Sequence, residues 1–440
     1  MTQATAPQFA AIEQNFSGTT QCYVLKKVIR SYVVEVRLSE NVSGELLQQA
    51  VDKTLSRLPY YRQTIVRQKG IYYYAENDLP FKVADHDGPR PVGGKEANYH
   101  MVDVVYHDSW LYFSMWHALC DGLGLNRFIE AVLYHYLCAK DGITYNDEDI
   151  YTEKVPFDEA ELFDPLQTKL KISSSEMKEI QALASQEGRY RFPEFDQPNS
   201  AGPTMYRLPV KIKTEDFIAW CKANSSSPAA AAAAIMAKAI ARVRDVSAEK
   251  VTAVIPCSMR KFMEGAEKTF KNCSGVVFIN MAPHDVKELP TGELAAQARA
   301  TLKTKMGSGE ANRMYAGINK LIHIGTRLPF YGLKCRILAG SENNPQNTFY
   351  VDYVGGLTAH GYEDQILEVR YLNADLGCPS LFVLMSETAG HFHINLTQSF
   401  ENDEYYHAFC EVLEEQNIPF ERLPIESYMN PAVVVPQEQR

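Results

Sequence analysis

The chain has 440 residues, 45% of them hydrophobic and 22% charged, with a formal net charge of -10. That length exceeds one ordinary hydrophobic core and points to two lobes. The acidic balance repels phosphate backbones and anionic lipid, so nucleic acid and membrane surfaces are poor partners, and the composition suggests neither disorder nor a coiled coil. The cysteine count is odd and no C-x-x-C pair occurs, which argues against a disulfide framework or a zinc site and for reduced thiols. "MTQATAPQFAAIEQNF" has no basic start and no sustained apolar run, so no signal peptide is expected. "PAAAAAAIMAKAIA" is interrupted by Lys238 and falls short of a membrane span. These features predict a soluble, cytoplasmic protein.

In chain order, "RSYVVEVRL" (30–38) is strand-like. Ser43 then caps a helix with Leu47, Ala50, Val51, Leu55 and Leu58 at helical spacing, stopped by Pro59. "RQTIVRQKGIYYYAEND" predicts a hairpin turning at Lys69-Gly70, and "MVDVVYHDSWLYFSMWH" a second one turning at His107-Asp108-Ser109. "GLNRFIEAVLYHYLCAK" is an amphipathic helix. The pattern weakens from about 150 to 205, and "RFPEFDQPNSAGP" reads as a connection. "TMYRLPVKIK" opens the second lobe as a strand. A helix follows with Ser227 at its N-cap and Pro228 at its first position. "KVTAVIPCSMR" and "CSGVVFINMAP" are buried strands, 291–325 is helical, four strands follow from "NTFYVDYVGG" to "HFHINLTQSF", and "DEYYHAFCEVLEEQ" is a last helix. The reading is a mixed α/β chain.

One short stretch, "SMWHALCDGLGL" (114–125), carries chemistry. Alternation puts Leu111, Phe113, Met115 and His117 on one strand face, so three apolar residues line the approach to an imidazole at the strand end. Gly122 then supplies backbone angles closed to other residues, and Asp121 reaches back to hold the turn. An imidazole of ordinary pKa, about 6.5, is suited to take a proton from a hydroxyl or amine at neutral pH. The plainer alternative is a core histidine followed by an aspartate that caps the next helix. Cys120 inside the stretch reads as a small filler rather than a nucleophile. The pair "HFH" (391 and 393) lacks a third ligand, so no metal site is expected. The clusters "YY" (60–61) and "YYY" (72–74) read as half-buried aromatics.

"HALCDG" resembles the H-x-x-x-D-G signature of the condensation-domain-like acyltransferase superfamily, which includes chloramphenicol acetyltransferase, plant BAHD acyltransferases, alcohol acetyltransferases, wax-ester synthases and condensation domains of nonribosomal peptide synthetases. "AVDKTLSRLPYYRQTIV" is similar to that family's opening helix, "SSSPAAAAAAIMAKAIARV" to its second-lobe helix and "VIPCSMRKF" to its P-x-x-x-R strand. "NTFYVDYVGGL" stands in the place of its S-N-x-G strand. The resemblance implies two chloramphenicol-acetyltransferase-like lobes, 1–190 carrying the motif and 191–440 completing a tunnel between them. It implies an acyl group moved from a thioester to a hydroxyl by direct attack, with His117 as general base and no acyl-enzyme. Asp121, Gly122 and Arg260 would be structural, with Asp121 paired to Arg260. No bound cofactor or metal is expected; a coenzyme A thioester is the co-substrate, with an acyl carrier protein as the alternative donor. The partners are then a small-molecule donor and acceptor, and the protein is expected to act as a monomer. Trp116 replaces the first histidine of many condensation domains, and Asp352-Tyr353 replaces the S-N pair. These three residues are the candidates for substrate contact. A non-catalytic binding protein on the same fold is the alternative from another class.

Overall fold

The computed structural model describes residues 29–68, 71–164, 171–183, 188–200, 202–307, 309–326, 348–376 and 380–429. The N-terminal peptide and the Lys69-Gly70 turn lie outside these residues. Strand β1 (Ile29–Leu38) leads into helix α1 (Gly44–Arg57), whose first turn is capped by the Ser43 side chain accepting from the Leu46 amide at 3.4 Å. Leu47, Ala50, Val51 and Leu55 are its buried stripe. The hairpin β2 (Gln63–Gln68) and β3 (Ile71–Glu76) follows, then β4 (Ala84–Asp85) and a second hairpin, β5 (Val102–His107) and β6 (Trp110–Trp116). Asp108 takes the left-handed conformation that this tight turn needs. Helix α2 (Gly122–Asp141) is capped by Asp121 and ends at Gly142, again left-handed.

The weakly patterned region holds α3 (Ser174–Leu183) and short 3-10 turns. Next come β7 (Thr204–Lys213) and α4 (Thr214–Ala223), a helix the sequence reading passed over, then α5 (Pro228–Val243). Pro228 does begin α5, but the Ser227 side chain makes no capping bond; the expected cap is a backbone feature only. Strands β8 (Val251–Ser258) and β9 (Ser274–Met281) precede the helices α6 (Pro283–Glu288), α7 (Thr291–Gly307) and α8 (Glu310–Thr326). The C-terminal part adds β10 (Phe349–Gly355), β11 (Ile366–Leu376), β12 (Leu381–Thr388), β13 (His391–Gln398), α9 (Glu404–Glu415), β14 (Glu421–Arg422) and β15 (Glu426–Met429).

Two main sheets organise these elements. The first has the order β11-β1-β6-β5-β4, and the second runs β14-β7-β13-β12-β10-β8-β9 with β15 also on β7. β11 is the exchange. The chain leaves the second sheet after β10, pairs antiparallel with β1 along its length (Val34 opposite Tyr371), and returns as β12 beside β10. Parallel neighbours such as β10 and β12 need a crossover, and here it is a strand of the other sheet. The segments 1–190 and 191–440 therefore share a sheet. Two large apolar cores result among the described residues, one under the first sheet with α1 and α2 and the other around α5, with a small third cluster of Ile180, Val254, Phe278 and Met314.

α5 is the buried axis of the second core. Ala230 through Ala237, with Ala239 and Ile240, are buried, and α7 and α9 pack directly on it. Small side chains let the three helices approach closely. No helix among the described residues is long and apolar enough to cross a membrane. Ala233→Leu should lower stability by about 1–3 kcal/mol through overpacking, read as a reduced midpoint in chemical denaturation.

Candidate active site

His117 stands one residue beyond β6 and is half-buried. Its Nδ1 donates to the Cys120 carbonyl at 3.1 Å, which assigns the basic lone pair to Nε2. The turn that carries it is tied at every carbonyl. Asn272 Nδ2 donates to the His117 carbonyl at 3.3 Å, the Tyr74 hydroxyl to that of Ala118 at 3.2 Å, and the Tyr60 hydroxyl to that of Leu119. The tyrosine clusters of the sequence thus include two props of the motif, and Tyr61 adds a bond to the Gly124 carbonyl. The sequence reading took them for half-buried aromatics; Tyr60, Tyr61, Tyr72 and Tyr74 are instead buried, and the polar ends of Tyr60, Tyr61 and Tyr74 serve the motif. Their paired occurrence was visible, but the reach of a phenol across a fold is not.

Asp121 does three things at once. As the N-cap of α2 it accepts from the Gly124 amide at 2.9 Å, and it forms a two-pronged ion pair with Arg260 at 2.7 and 2.9 Å. It also accepts from the Cys273 amide at 3.0 Å. Arg260 spends its remaining donors on the carbonyls of Thr269 and Lys271. Both side chains are buried. Burial pulls the Asp121 carboxyl upward, but the Arg260 charge and the hydrogen bonds hold it below the usual carboxylate range. This cluster joins the start of α2 to the β8–β9 connection.

Gly122 has helical backbone angles, not the left-handed ones expected from the sequence. What it provides is room: a Cβ there would stand 3.1 Å from Val354 and 3.2 Å from the Tyr32 hydroxyl. The tighter position is Gly124, unmarked by the sequence reading, where a Cβ would fall 2.2 Å from the Phe270 carbonyl oxygen. Leu111, Phe113 and Met115 share a strand face as alternation predicts, yet all three are fully buried under α2, with Phe113 edge-on to Phe128. They are core, and they do not line an approach to the imidazole. Cys120 is buried too, donates to the Met115 sulfur at 2.8 Å, and burial pushes its thiol pKa well up. It is a filler, not a nucleophile.

The three candidates for substrate contact separate. Trp116 is fully buried in the first core. On β10, Phe349, Val351 and Tyr353 face the α5 core, while Tyr350 and Val354 face the first core, so Asp352 shares their side and points toward His117's lobe. Tyr353 donates to Glu387 at 3.0 Å and lies against Phe392, away from the motif. Asp352 is half-buried, and burial with Asp121 nearby raises its pKa to about 6. Tyr32 of β1 links the two groups: its ring centroid lies 5.4 Å from that of His117, and Asp352 is among the charges that push its phenol pKa up, after burial itself. Among the described residues no group of three side chains could hold a metal, and His393 faces Glu368 at 3.3 Å.

The chain has the chloramphenicol-acetyltransferase-like fold of condensation domains. It is similar to polyketide synthase associated protein 5 from Mycobacterium tuberculosis, at 15% identity and a TM-score of 0.62, with 92% of this chain and 98% of that one covered. A trichothecene 15-O-acetyltransferase (TRI3) from Fusarium sporotrichioides matches at 9% identity and a TM-score of 0.61, over 91% and 93%. TRI101 from F. sporotrichioides, in complex with coenzyme A and T-2, matches at 12% identity and a TM-score of 0.56, over 93% and 99%. No family model matches the sequence, and no curated protein is similar to it in sequence. Within this fold, the Asp121–Arg260 pair ties the motif turn to the β8–β9 connection.

Arg260→Ala leaves a buried carboxylate without its partner and should cost about 3–5 kcal/mol in denaturant unfolding; Arg260→Lys should also destabilise, because an ammonium cannot serve both carboxylate oxygens and two carbonyls. Asp352 and Asp121 should act oppositely with pH. The folded state binds a proton on Asp352 more tightly than the unfolded state, so its contribution falls as pH rises from about 4 through 6. Asp121, with a depressed pKa, contributes stability above the unfolded carboxylate pKa that is lost on acidification. The thermal midpoint of Asp352→Asn should therefore exceed that of the wild type by more at pH 7.5 than at pH 4.5; a constant gap would contradict the raised pKa.

Proposed function

We propose that the chain is an acyltransferase that moves an acyl group from a thioester, foremost acyl-CoA, to a hydroxyl acceptor, with His117 as general base. The observation that carries this reading is the Nδ1–H bond to Cys120, which sets Nε2 as the basic nitrogen on a turn whose carbonyls are all engaged. A proton-transfer group must be held within a narrow range of its productive position, and these bonds supply that restraint. Support comes from the fold, which includes an O-acetyltransferase and a protein that binds coenzyme A.

In this mechanism donor and acceptor meet in a channel between the lobes 1–190 and 191–440. Nε2 takes the acceptor proton as the oxygen attacks the thioester carbonyl. The tetrahedral intermediate then expels the thiolate, which leaves as the thiol with the proton returned by the imidazolium. No acyl-enzyme forms. Asp121 and Arg260 act on this step through the turn they fix, without touching substrate. A carrier-protein donor is the second reading, favoured by the likeness to a polyketide synthase associated protein.

The test is thiol release from acyl-CoAs of increasing chain length with mixed alcohols, for wild type and His117→Ala. Loss of the base should reduce turnover by about 100- to 10,000-fold. Turnover that survives in the variant would remove His117 from the mechanism, and release only from an acyl carrier protein would replace coenzyme A as the donor.

A further inference from the structure

Asp352 is a carboxylate without a counter-charge among the described residues. Its side chain makes no hydrogen bond or ion pair with any described residue, and it sits half-buried on the β10 face that also carries Tyr350 and Val354, within electrostatic reach of Tyr32, Tyr371, Cys257 and Asp121. None of these neutralises it. Tyr371 is engaged with Asn126 at 3.1 Å, the buried Tyr32 hydroxyl makes no hydrogen bond with Asp352 or any other described residue, and Asp121 gives its own charge to Arg260. The carboxylate is also not sealed off: part of it stays solvent-accessible, on the face of β10 turned toward the motif. A half-buried ion of this kind is stabilised by a partner of opposite charge, and the described residues supply none.

We propose that Asp352 binds the ammonium group of an amino-alcohol acceptor whose hydroxyl is presented to His117. This rests on the acyl-transfer reading and specifies its acceptor. The pairing also decides which atom reacts. Held as an ammonium, the nitrogen has no lone pair to offer, so the hydroxyl oxygen attacks: its O–H bond breaks toward Nε2, a C–O bond forms, the C–S bond breaks, and the thiolate is reprotonated. The product is an ester with its amine intact. Asp352 is a positioning residue in this scheme, and its effect belongs to acceptor binding and not to proton transfer.

The experiment compares 5-amino-1-pentanol with 1-hexanol, which has the same number of heavy atoms and no charge, as acceptors for wild type and Asp352→Asn with the best acyl-CoA. Amino alcohols of shorter and longer chain are run alongside to find the span. Wild type should prefer the amino alcohol by about tenfold or more in kcat/KM, through KM, and form the ester; Asp352→Asn should erase that ratio. A wild type that takes 1-hexanol equally well, an amide product, or a variant that keeps the preference would overturn the proposal while leaving acyl transfer intact. If His117-dependent thiol release is absent with every acceptor, the acyl-transfer reading fails. Calorimetric binding of 5-amino-1-pentanol then decides the site alone: tighter binding to wild type than to Asp352→Asn supports it, and equal or no binding overturns it. A melting midpoint of Asp352→Asn at or above that of the wild type confirms that the variant is folded.

Discussion

The ion pair between Asp121 and Arg260 is the constraint on which the rest of the site depends. One carboxylate ends the strand-to-helix turn, caps α2, and accepts both prongs of a guanidinium carried by the β8–β9 connection. Taking two charges out of water is unfavourable, and the arrangement offsets this only because each remaining donor and lone pair is used. Arg260 binds two carbonyls besides Asp121, and Asp121 takes the Cys273 amide besides Arg260. The pair is therefore a fixed joint between segments far apart in the sequence, and the imidazole four residues before Asp121 inherits its rigidity.

Around that joint the turn is held from both sides. Tyr60 and Tyr74 hold it from the first core, and Asn272 holds it from the β8–β9 connection, itself fixed by the Tyr315 hydroxyl on its carbonyl at 3.1 Å. Phe270 packs among Tyr60, Tyr61 and Tyr151, so the same connection is anchored by apolar contacts as well. Gly124 lets it come this close, because any side chain there would meet the Phe270 carbonyl. Polar bonds set the orientation of the turn, and the aromatic packing keeps water from competing for those bonds.

What was legible in the sequence was local. Caps, stops and periods placed β1, α1, α2, α5 and the hairpins within a residue or two, because Ser43, Asp121 and Pro228 act on their own neighbours. Spacing in "HALCDG" singled out His117 and Asp121, and the arginine of "PCSMR" came from resemblance. Contacts set by tertiary packing were not legible. Alternation put Leu111, Phe113 and Met115 on one face but could not say that α2 covers it. Asp352 and Tyr353 are adjacent letters that a strand turns to opposite sides, and only the identity of the two cores tells which one meets the motif. Nor could any local signal show that 366–376 belongs beside β1.

That last pairing bears on how the chain is made. β1 leaves the ribosome long before β11, the later strand that completes its outer edge. Until β11 is made, the nascent chain carries an apolar strand with a row of unanswered amides and carbonyls, the kind of edge that recruits stray chains. Closing so long a loop is slow, since the entropy of bringing distant segments together is lost before their contacts reward it. For this molecule the hazardous interval is biosynthetic: an early stop or a pause ahead of β11 leaves a fragment whose sheet can be finished only by another polypeptide.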